Sequence, residues 1–178
     1  MIIDCAKAKS RAKWLRYAVL ALIALVVVGN VVWATGGMGT RANGDHVWVI
    51  ASMSPSLDKF PGLLAIDVVT VSLIVVAGLY QLVRLMRQFE QGDFFSVRAM
   101  GHLKAFALLL LVAAIADCFL PPLILLTAHL VGMQGVRSLD FGIDGTDIWV
   151  ALVSALFLTI TTVMGEARKL AEDNELIV

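Results

Sequence analysis

The sequence predicts an all-α integral membrane protein, a four-helix bundle with both termini in the cytoplasm. Of its 178 residues, 60% are hydrophobic and 16% charged, whereas soluble domains average about half apolar and a quarter charged. Four apolar runs each approach the roughly 20 residues that a helix needs to cross a bilayer. Backbone polar groups inside a bilayer must bond within their own segment, so each run is expected to be a helix.

The helices are predicted over residues 14–35, 63–91, 97–130 and 147–172 of a single membrane domain, 1–178. The first run begins like a secretory signal, but it is longer than the about 7–15 apolar residues of a signal core, so we expect it to be retained. Gly92 is predicted to end the second helix, and Ser96 to cap the third.

The two outer connections are predicted to be irregular or to contain short strands. The segments HVWVIASM (46–53) and LDFGID (139–144) alternate apolar and polar residues in part, and they could pair as a small outer β-cap.

The orientation follows from lysine and arginine, which concentrate on the cytoplasmic side of membrane proteins. Eleven lie in the N-terminal tail, the second connection and the C-terminal tail: Lys7, Lys9, Arg11, Lys13, Arg16, Arg84, Arg87, Arg98, Lys104, Arg168 and Lys169. The first and third connections hold three: Arg41, Lys59 and Arg137. Both termini are therefore predicted to be cytoplasmic.

The stretch IADCFLPPLILL, residues 115–126, places a carboxyl group and two prolines inside the third apolar run. Asp117 lies about 21 Å along the helix from Leu103, where insertion scales assign an aspartate about 2.5–3.5 kcal/mol, so it should face the bundle. Pro121 and Pro122 cannot donate to the carbonyl groups of residues 117 and 118, and they are predicted to kink the helix.

Counting 1.5 Å per residue from each membrane entry brings other polar side chains to a similar depth. The predicted intramembrane polar pocket consists of Asn30, Thr70, Asp117 and Ser154. It could be a proton or ligand site, or its groups could only hydrogen-bond the helices together. Asp67, one turn into the second helix, is expected to be a solvated or dipole-favoured carboxylate at the helix N-terminus rather than part of a relay.

No catalytic residue, metal site or cofactor is predicted, and we expect that the protein is not an enzyme. His102 and His129 are separated by about 40 Å of helix and cannot share a metal ion. Cys5 and Cys118 fall in a basic tail and an apolar run, which excludes a disulfide between them in this topology. The net charge of zero gives no electrostatic surface for nucleic acid.

Two segments resemble one known family. The corner FEQGDFFSVRAMGHLKAFALLLL (89–111) and the ending LDFGIDGTDIWVALVSALFLTITTVMGEARKLAEDNELIV (139–178) resemble the bacterial membrane proteins of domain-of-unknown-function family 2975. Ile177 departs from the threonine that the family often has. The resemblance implies a bacterial inner-membrane protein. Members are often similar to the membrane half of a pair whose other half is a small Cro-like helix-turn-helix regulator, which implies a signalling or sequestration role.

The sequence therefore favours an accessory or regulatory protein that lies in the lipid bilayer and binds a cytoplasmic partner. The predicted contact residues are Arg84, Arg87, Arg98, Lys104, Glu172, Asp173, Glu175 and Leu176. The alternative is a small transporter, channel or ligand sensor that uses the pocket around Asp117. The sequence indicates no oligomeric state.

Overall fold

The computed structural model describes residues 2–34, 57, 60–92, 96–133 and 145–175. This part of the chain forms four helices: α1 (Ile2–Ala34), α2 (Pro61–Gln91), α3 (Val97–Leu130) and α4 (Gly145–Glu175). All four are long and apolar enough to cross a membrane. The predicted all-α, four-helix membrane fold is confirmed. The segments 46–53 and 139–144 of the predicted β-cap lie outside the described residues.

Helix α1 begins at Ile2, well before the predicted start at residue 14. The added turns are rich in alanine and lysine, which have high helix propensity, and they contain neither glycine nor proline. Helix α4 likewise continues to Glu175. At about 1.5 Å per residue, each of the four helices is longer than a hydrocarbon core of roughly 30 Å, so each extends beyond it.

The turn between α2 and α3 joins the best-packed pair of helices. Gly92 ends α2 in the left-handed conformation, with φ of 96°, and its N–H bonds to the carbonyl groups of Gln88 and Phe89. The Ser96 hydroxyl accepts from the Ala99 N–H at 3.1 Å at the start of α3. Both terminal signals predicted from the sequence are confirmed. We call the end of the bundle that holds this turn the basic end.

The register between α2 and α3 is antiparallel. Near the basic end, His102 Nδ1 lies 2.9 Å from Gln81 Oε1. Further along, a methyl group at Gly78 would lie 3.5 Å from the Cβ atom of Leu109, so the helices approach closely there. These two contacts give the relative level of residues on α2 and α3 to within about 6 Å, and that register places the candidate site described below.

Polar side chains join α1 to α2 at two levels, of which the first is at the basic end and the second is at Asn30. At the basic end, Arg16 Nη1 donates to Glu90 Oε2 at 2.8 Å, and the side chains are 25% and 13% exposed. Glu90 Oε1 is buried and has no hydrogen-bond partner among the described residues. The carboxylate of Glu90 therefore depends strongly on Arg16.

We expect Arg16→Gln to lower the free energy of unfolding by about 1–2 kcal/mol. Exposed ion pairs contribute at most about 1 kcal/mol, and removing one partner of a buried pair costs about 3–5 kcal/mol; this pair is intermediate in burial. Unfolding in mixed detergent and dodecyl sulfate micelles measures the change. The double variant R16Q/E90Q should recover part of the loss, and Lys13→Gln, at an exposed position, is the control. Strict additivity of R16Q and E90Q would contradict a direct coupling.

Helix α4 packs along α3, where the rings of Phe106 and Phe157 meet edge to face, 5.7 Å between centroids. Among the side chains of α4 that the structure describes, Asp147, Ser154 and Thr161 are buried; they are spaced by seven and share one face. Small side chains at the contact allow two membrane helices to approach closely. The seam between α3 and α4 is therefore narrow.

The helices pack in chain order, α1 on α2, α2 on α3 and α3 on α4, and in the described part of the chain α1 does not contact α4. Large apolar side chains on all four helices point away from their neighbours, for example Leu25, Leu73, Ile115 and Leu156. Apolar surface of this extent is characteristic of contact with lipid. The chain is a multi-pass membrane protein.

Candidate functional site

Asn30 of the predicted polar pocket joins α1 to α2. Its Nδ2 donates to the carbonyl of Val26 at 2.8 Å and lies 3.1 Å from Ser72 Oγ, while that hydroxyl lies 3.2 Å from Asn30 Oδ1. Hydrogen bonds between membrane helices average about 0.6 kcal/mol in stability. Sequence reasoning did not include Ser72, although it follows Thr70 by two residues in the same apolar run.

Thr70 and Ser154 bond to their own helices. The Thr70 hydroxyl donates to the Ile66 carbonyl at 2.6 Å, and the Ser154 hydroxyl donates to the Val150 carbonyl at 2.7 Å. This bond to the residue four positions earlier satisfies a hydroxyl inside a membrane helix without any partner helix. Ser154 is fully buried on the face of α4 that packs on α3.

Asp117 lies in the interior of the helix array. Its side chain is 8% exposed, on the central helix α3 that contacts both α2 and α4. Pro121 and Pro122 follow on the same buried surface, and α3 continues past them to Leu130. The burial of Asp117 agrees with the expectation that an aspartate at this depth faces protein rather than lipid.

Asp67 is buried as well, so of the two expected alternatives the solvated carboxylate is wrong. Its side chain is 0% exposed, and neither carboxyl oxygen has a hydrogen-bond partner among the described residues. Asp117 acts electrostatically on it across the contact of α2 with α3. Position near a helix start suggested solvent, but α3 extends about 10 Å beyond the start of α2 in this register and covers that end.

The helix register places the two aspartates at one level. Asp67 precedes Gln81 by 14 residues and Asp117 follows His102 by 15, so both lie about 21–22 Å from the Gln81–His102 contact. Ser72, the partner of Asn30, lies about 7.5 Å nearer the basic end. The structure therefore brings Asp117 together with Asp67, and it brings Asn30 together with Ser72. A functional role for the predicted pocket of four residues stays a prediction.

An apolar cluster shares the buried face of α2 on which Asp67 lies, because Leu64, Val68 and Val71 are three residues before it and one and four after it. Its buried members are Leu57, Leu64, Val68, Val71 and Leu125. Three of them, Leu57, Leu64 and Leu125, lie beyond the aspartates toward the end opposite the basic end. Because these side chains exclude water, the effective dielectric around the carboxyl groups is low and unpaired charge there is costly.

The basic end carries the predicted contact residues Arg84, Arg87, Arg98 and Lys104, and all four side chains are exposed. Arg84 stacks over the ring of Tyr80 at 4.9 Å. The helix ends beneath them are fixed by a buried cluster of Leu85, Met86 and Ala99. Within the described residues, none of the four cations forms a salt bridge, since the only pair there joins Arg16 to Glu90.

The acidic tail is described only in part. Asp173 is exposed on the last turns of α4. The side chains of Glu172 and Glu175, and the whole of Leu176, lie outside the described residues.

Among the described residues, no group of three histidine, cysteine, aspartate or glutamate side chains could hold a metal ion. His102 and His129 lie toward opposite ends of α3.

The comparison with known families decides the wider assignment. The family model for proteins of unknown function DUF2975 matches residues 45–178. The chain belongs to the DUF2975 family. The resemblance of the corner 89–111 and the ending 139–178 to that family is thereby confirmed. Both aspartates and the four cations Arg84, Arg87, Arg98 and Lys104 fall inside the part of the chain that the DUF2975 model matches. No curated protein and no solved structure matches the chain.

Proposed function

We propose that this DUF2975 protein is a non-enzymatic accessory or regulatory protein of the bacterial inner membrane, with both termini in the cytoplasm, and that its basic end binds an acidic cytoplasmic protein. One observation supports this most directly. Arg84, Arg87, Arg98 and Lys104 are exposed on the neighbouring ends of α2 and α3, and Glu90, an acid on the same end of α2, is paired with Arg16.

The positive-inside rule explains why cations lie on the cytoplasmic side, but it does not determine how they are arranged there. Here four of them are held on the ends of the two best-packed helices, which preserves their mutual spacing. A surface of this kind favours a partner with complementary negative charge, because electrostatic complementarity steers association and sets specificity. A helix-turn-helix regulator with an acidic face would fit this chemistry.

We expect the quadruple variant R84Q/R87Q/R98Q/K104Q to lose about thirtyfold in affinity for the partner. Four exposed ion pairs at roughly 0.5 kcal/mol each sum to about 2 kcal/mol, and about 1.4 kcal/mol is tenfold. To measure the loss, the tagged protein is purified in mild detergent at low and at high salt. The proteins that copurify with it are then identified and quantified. Lys13→Gln, an exposed cation outside the corner, is the control.

Retention of the same protein by wild type and quadruple variant would contradict the proposal. So would retention of anionic phospholipid alone, in amounts that fall with the quadruple variant, because the corner would then be a lipid-headgroup surface.

The second candidate function is a ligand sensor or small transporter that uses the pocket around Asp117. The observation that favours it is the complete burial of Asp67 next to Asp117, at a level where an apolar cluster excludes water. If the protein is such a sensor or transporter, Asp117→Asn should impair sensing or transport and leave partner retention at the basic end unchanged.

A further inference from the structure

Helices α1 and α4 lie at the two ends of the packing order. In the described part of the chain, α1 contacts only α2, and α4 contacts only α3. Each of these two helices therefore has a side, opposite its single neighbour, that no other described helix covers. The residues on the two uncovered sides are complementary in spacing, in charge and in depth.

The uncovered side of α1 combines an apolar row with two cations at the basic end. Ala12, Val19 and Val26 are buried and mark the side that packs on α2. About half a turn away, at alternating spacings of three and four, lie the exposed residues Trp14, Tyr17, Ala21, Ala24, Val28 and Val31. This spacing is that of a seam between two packed helices, and alanines in a seam allow close approach. Arg11 and Lys13 are exposed on its two flanks.

The uncovered side of α4 has the same spacing and carries acids at the basic end. It lies opposite the buried row that packs on α3, and its exposed residues are Leu152, Leu156, Thr159, Val163, Glu166, Leu170 and Asp173. Lys169 is exposed on one flank. None of these charged side chains, and neither flanking cation of α1, forms a salt bridge in the described part of the chain.

The depth of the α1 cations follows from two contacts of α2. Gln81 contacts His102 of α3, and Glu90, nine residues further toward the basic end, pairs with Arg16. Arg16 therefore lies about 13.5 Å beyond the Gln81–His102 contact along the bundle axis. Lys13, three residues nearer the N-terminus, lies about 18 Å beyond that contact.

The depth of the α4 acids follows from the contact of Phe157 with Phe106. Phe106 follows His102 by four residues, and consecutive membrane spans run in opposite directions, so the level of His102 on α4 falls four residues after Phe157. Asp173 lies 12 residues beyond that level, about 18 Å toward the basic end. Lys13 and Asp173 therefore lie at about the same depth.

Within one copy, the cations of α1 and the acids of α4 do not meet, because the two helices have no contact among the described residues. Two copies inserted in the same orientation have these helices at equal depth. If α4 of one copy lies beside α1 of another, the two apolar seams pack together and opposite charges meet at the basic end. Flanking charges of this kind set partner choice and register between packed helices.

We propose that the protein forms homo-oligomers in which α4 of one copy packs against α1 of the next, with Asp173 at the level of Arg11 and Lys13. The contact joins two different surfaces, so it is heterologous and repeats from copy to copy. It uses none of the four cations assigned to partner binding, which lie on α2 and α3. The oligomer therefore goes beyond the proposed function and can be tested separately from it.

The first test is disulfide cross-linking in membranes between two differently tagged copies, each with Cys5 and Cys118 replaced by alanine. Trp14→Cys in one copy and Leu170→Cys in the other should give a product that carries both tags after mild oxidation. These exposed residues lie on the two seams and differ in depth by about 3 Å. Val97→Cys, exposed near the basic end of α3, replaces Trp14→Cys in the control pair and should not cross-link.

The second test measures association in liposomes by energy transfer between donor-labelled and acceptor-labelled copies over a range of protein-to-lipid ratios. R11D/K13D and Asp173→Arg should each weaken association about fivefold, since exposed ion pairs contribute up to roughly 1 kcal/mol. Combining the three substitutions exchanges the charges and should restore most of the affinity. R87D/R98D changes the net charge as R11D/K13D does, at exposed positions outside the seams, and should leave association unchanged.

Wild-type protein that stays monomeric at every protein-to-lipid ratio would overturn the proposal and leave both uncovered sides to lipid. A cross-linked product confined to two Trp14→Cys copies would also overturn it, because that product identifies a symmetric contact between α1 helices. Association that the charge reversals weaken, and that the combined variant fails to restore, would rule out the pairing of α4 with α1.

Discussion

Replacing Asp67 with valine should raise the free energy of unfolding by about 2–4 kcal/mol when measured at pH 8. Removal of a buried charged group in favour of an apolar one of fitting size stabilises by about 1–4 kcal/mol in proteins, and insertion scales give a similar difference between aspartate and valine inside a membrane. Asp67 is fully buried within an apolar cluster, so valine would join that cluster.

The gain should shrink as the pH falls, because a protonated Asp67 places no charge in the apolar interior of the wild type. Titration with dodecyl sulfate in mixed micelles measures it in each condition. Asp173→Val, on the exposed part of α4, should change stability by no more than about 0.5 kcal/mol. Destabilisation by Asp67→Val would show that the carboxylate has a favourable partner in the folded chain and would remove the argument for an intrinsically costly site.

If Asp67→Val stabilises the protein, then the wild type keeps a carboxyl group that lowers its own stability. Binding and catalytic sites often keep residues that reduce stability, because the function requires them. Asp67→Val is expected to gain stability. That sign separates Asp67 from a packing position, since a packing position loses stability when its side chain changes.

The existence of the four helices could be predicted because the bilayer allows few alternatives for an apolar run of this length. Local signals at the turn were also sufficient: Gly92 can adopt φ of 96° without strain, and Ser96 supplies a cap. These features depend on a few neighbouring residues. The length of α1 was underestimated because its first turns leave the apolar run, where composition no longer indicates the membrane boundary.

The environment of Asp67 could not be predicted because it depends on how far one helix slides past another. A carboxylate six residues after Pro61 lies either in water or in the interior, according to the level that α3 reaches beside it. In the structure α3 and the buried Leu57 extend past that level. Lipid-facing and protein-facing residues are both apolar in a membrane, so periodicity also fails to indicate which side of α2 is buried.

The partner of Asn30 was missed for a related reason. Depth counting assumes the residue at which each helix enters the membrane, and an error of five residues displaces a side chain by about 7.5 Å along the axis. That is the distance between the level of Ser72, which Asn30 contacts, and the level of Asp67 and Asp117. The protein-facing position of Asp117 could be predicted from its chemistry alone, because an aspartate inside an apolar run must face protein.

The second large effect is expected at Ser154 on α4. Ser154→Leu should lower the free energy of unfolding by about 2–3 kcal/mol, near the upper range for adding methylene groups to a packed contact. Its side chain is 0% exposed, and α4 has no contact with α1 or α2 in the described residues that could compensate. A larger side chain must therefore separate α4 from α3, and this would also disturb the contact of Phe106 with Phe157.

Val153→Leu is the matched control, because the neighbouring Val153 is 40% exposed on the lipid-facing side; we expect a change below about 0.5 kcal/mol. Equal losses of stability in the two variants would show that α4 does not pack on α3 through the face that holds Ser154. Ser154→Ala removes the hydroxyl group without adding volume, so it separates the effect of side-chain size from the effect of the hydroxyl group. That hydroxyl bonds within α4, so we expect alanine to cost no more than about 0.6 kcal/mol. Such a result would assign Ser154 to helix packing.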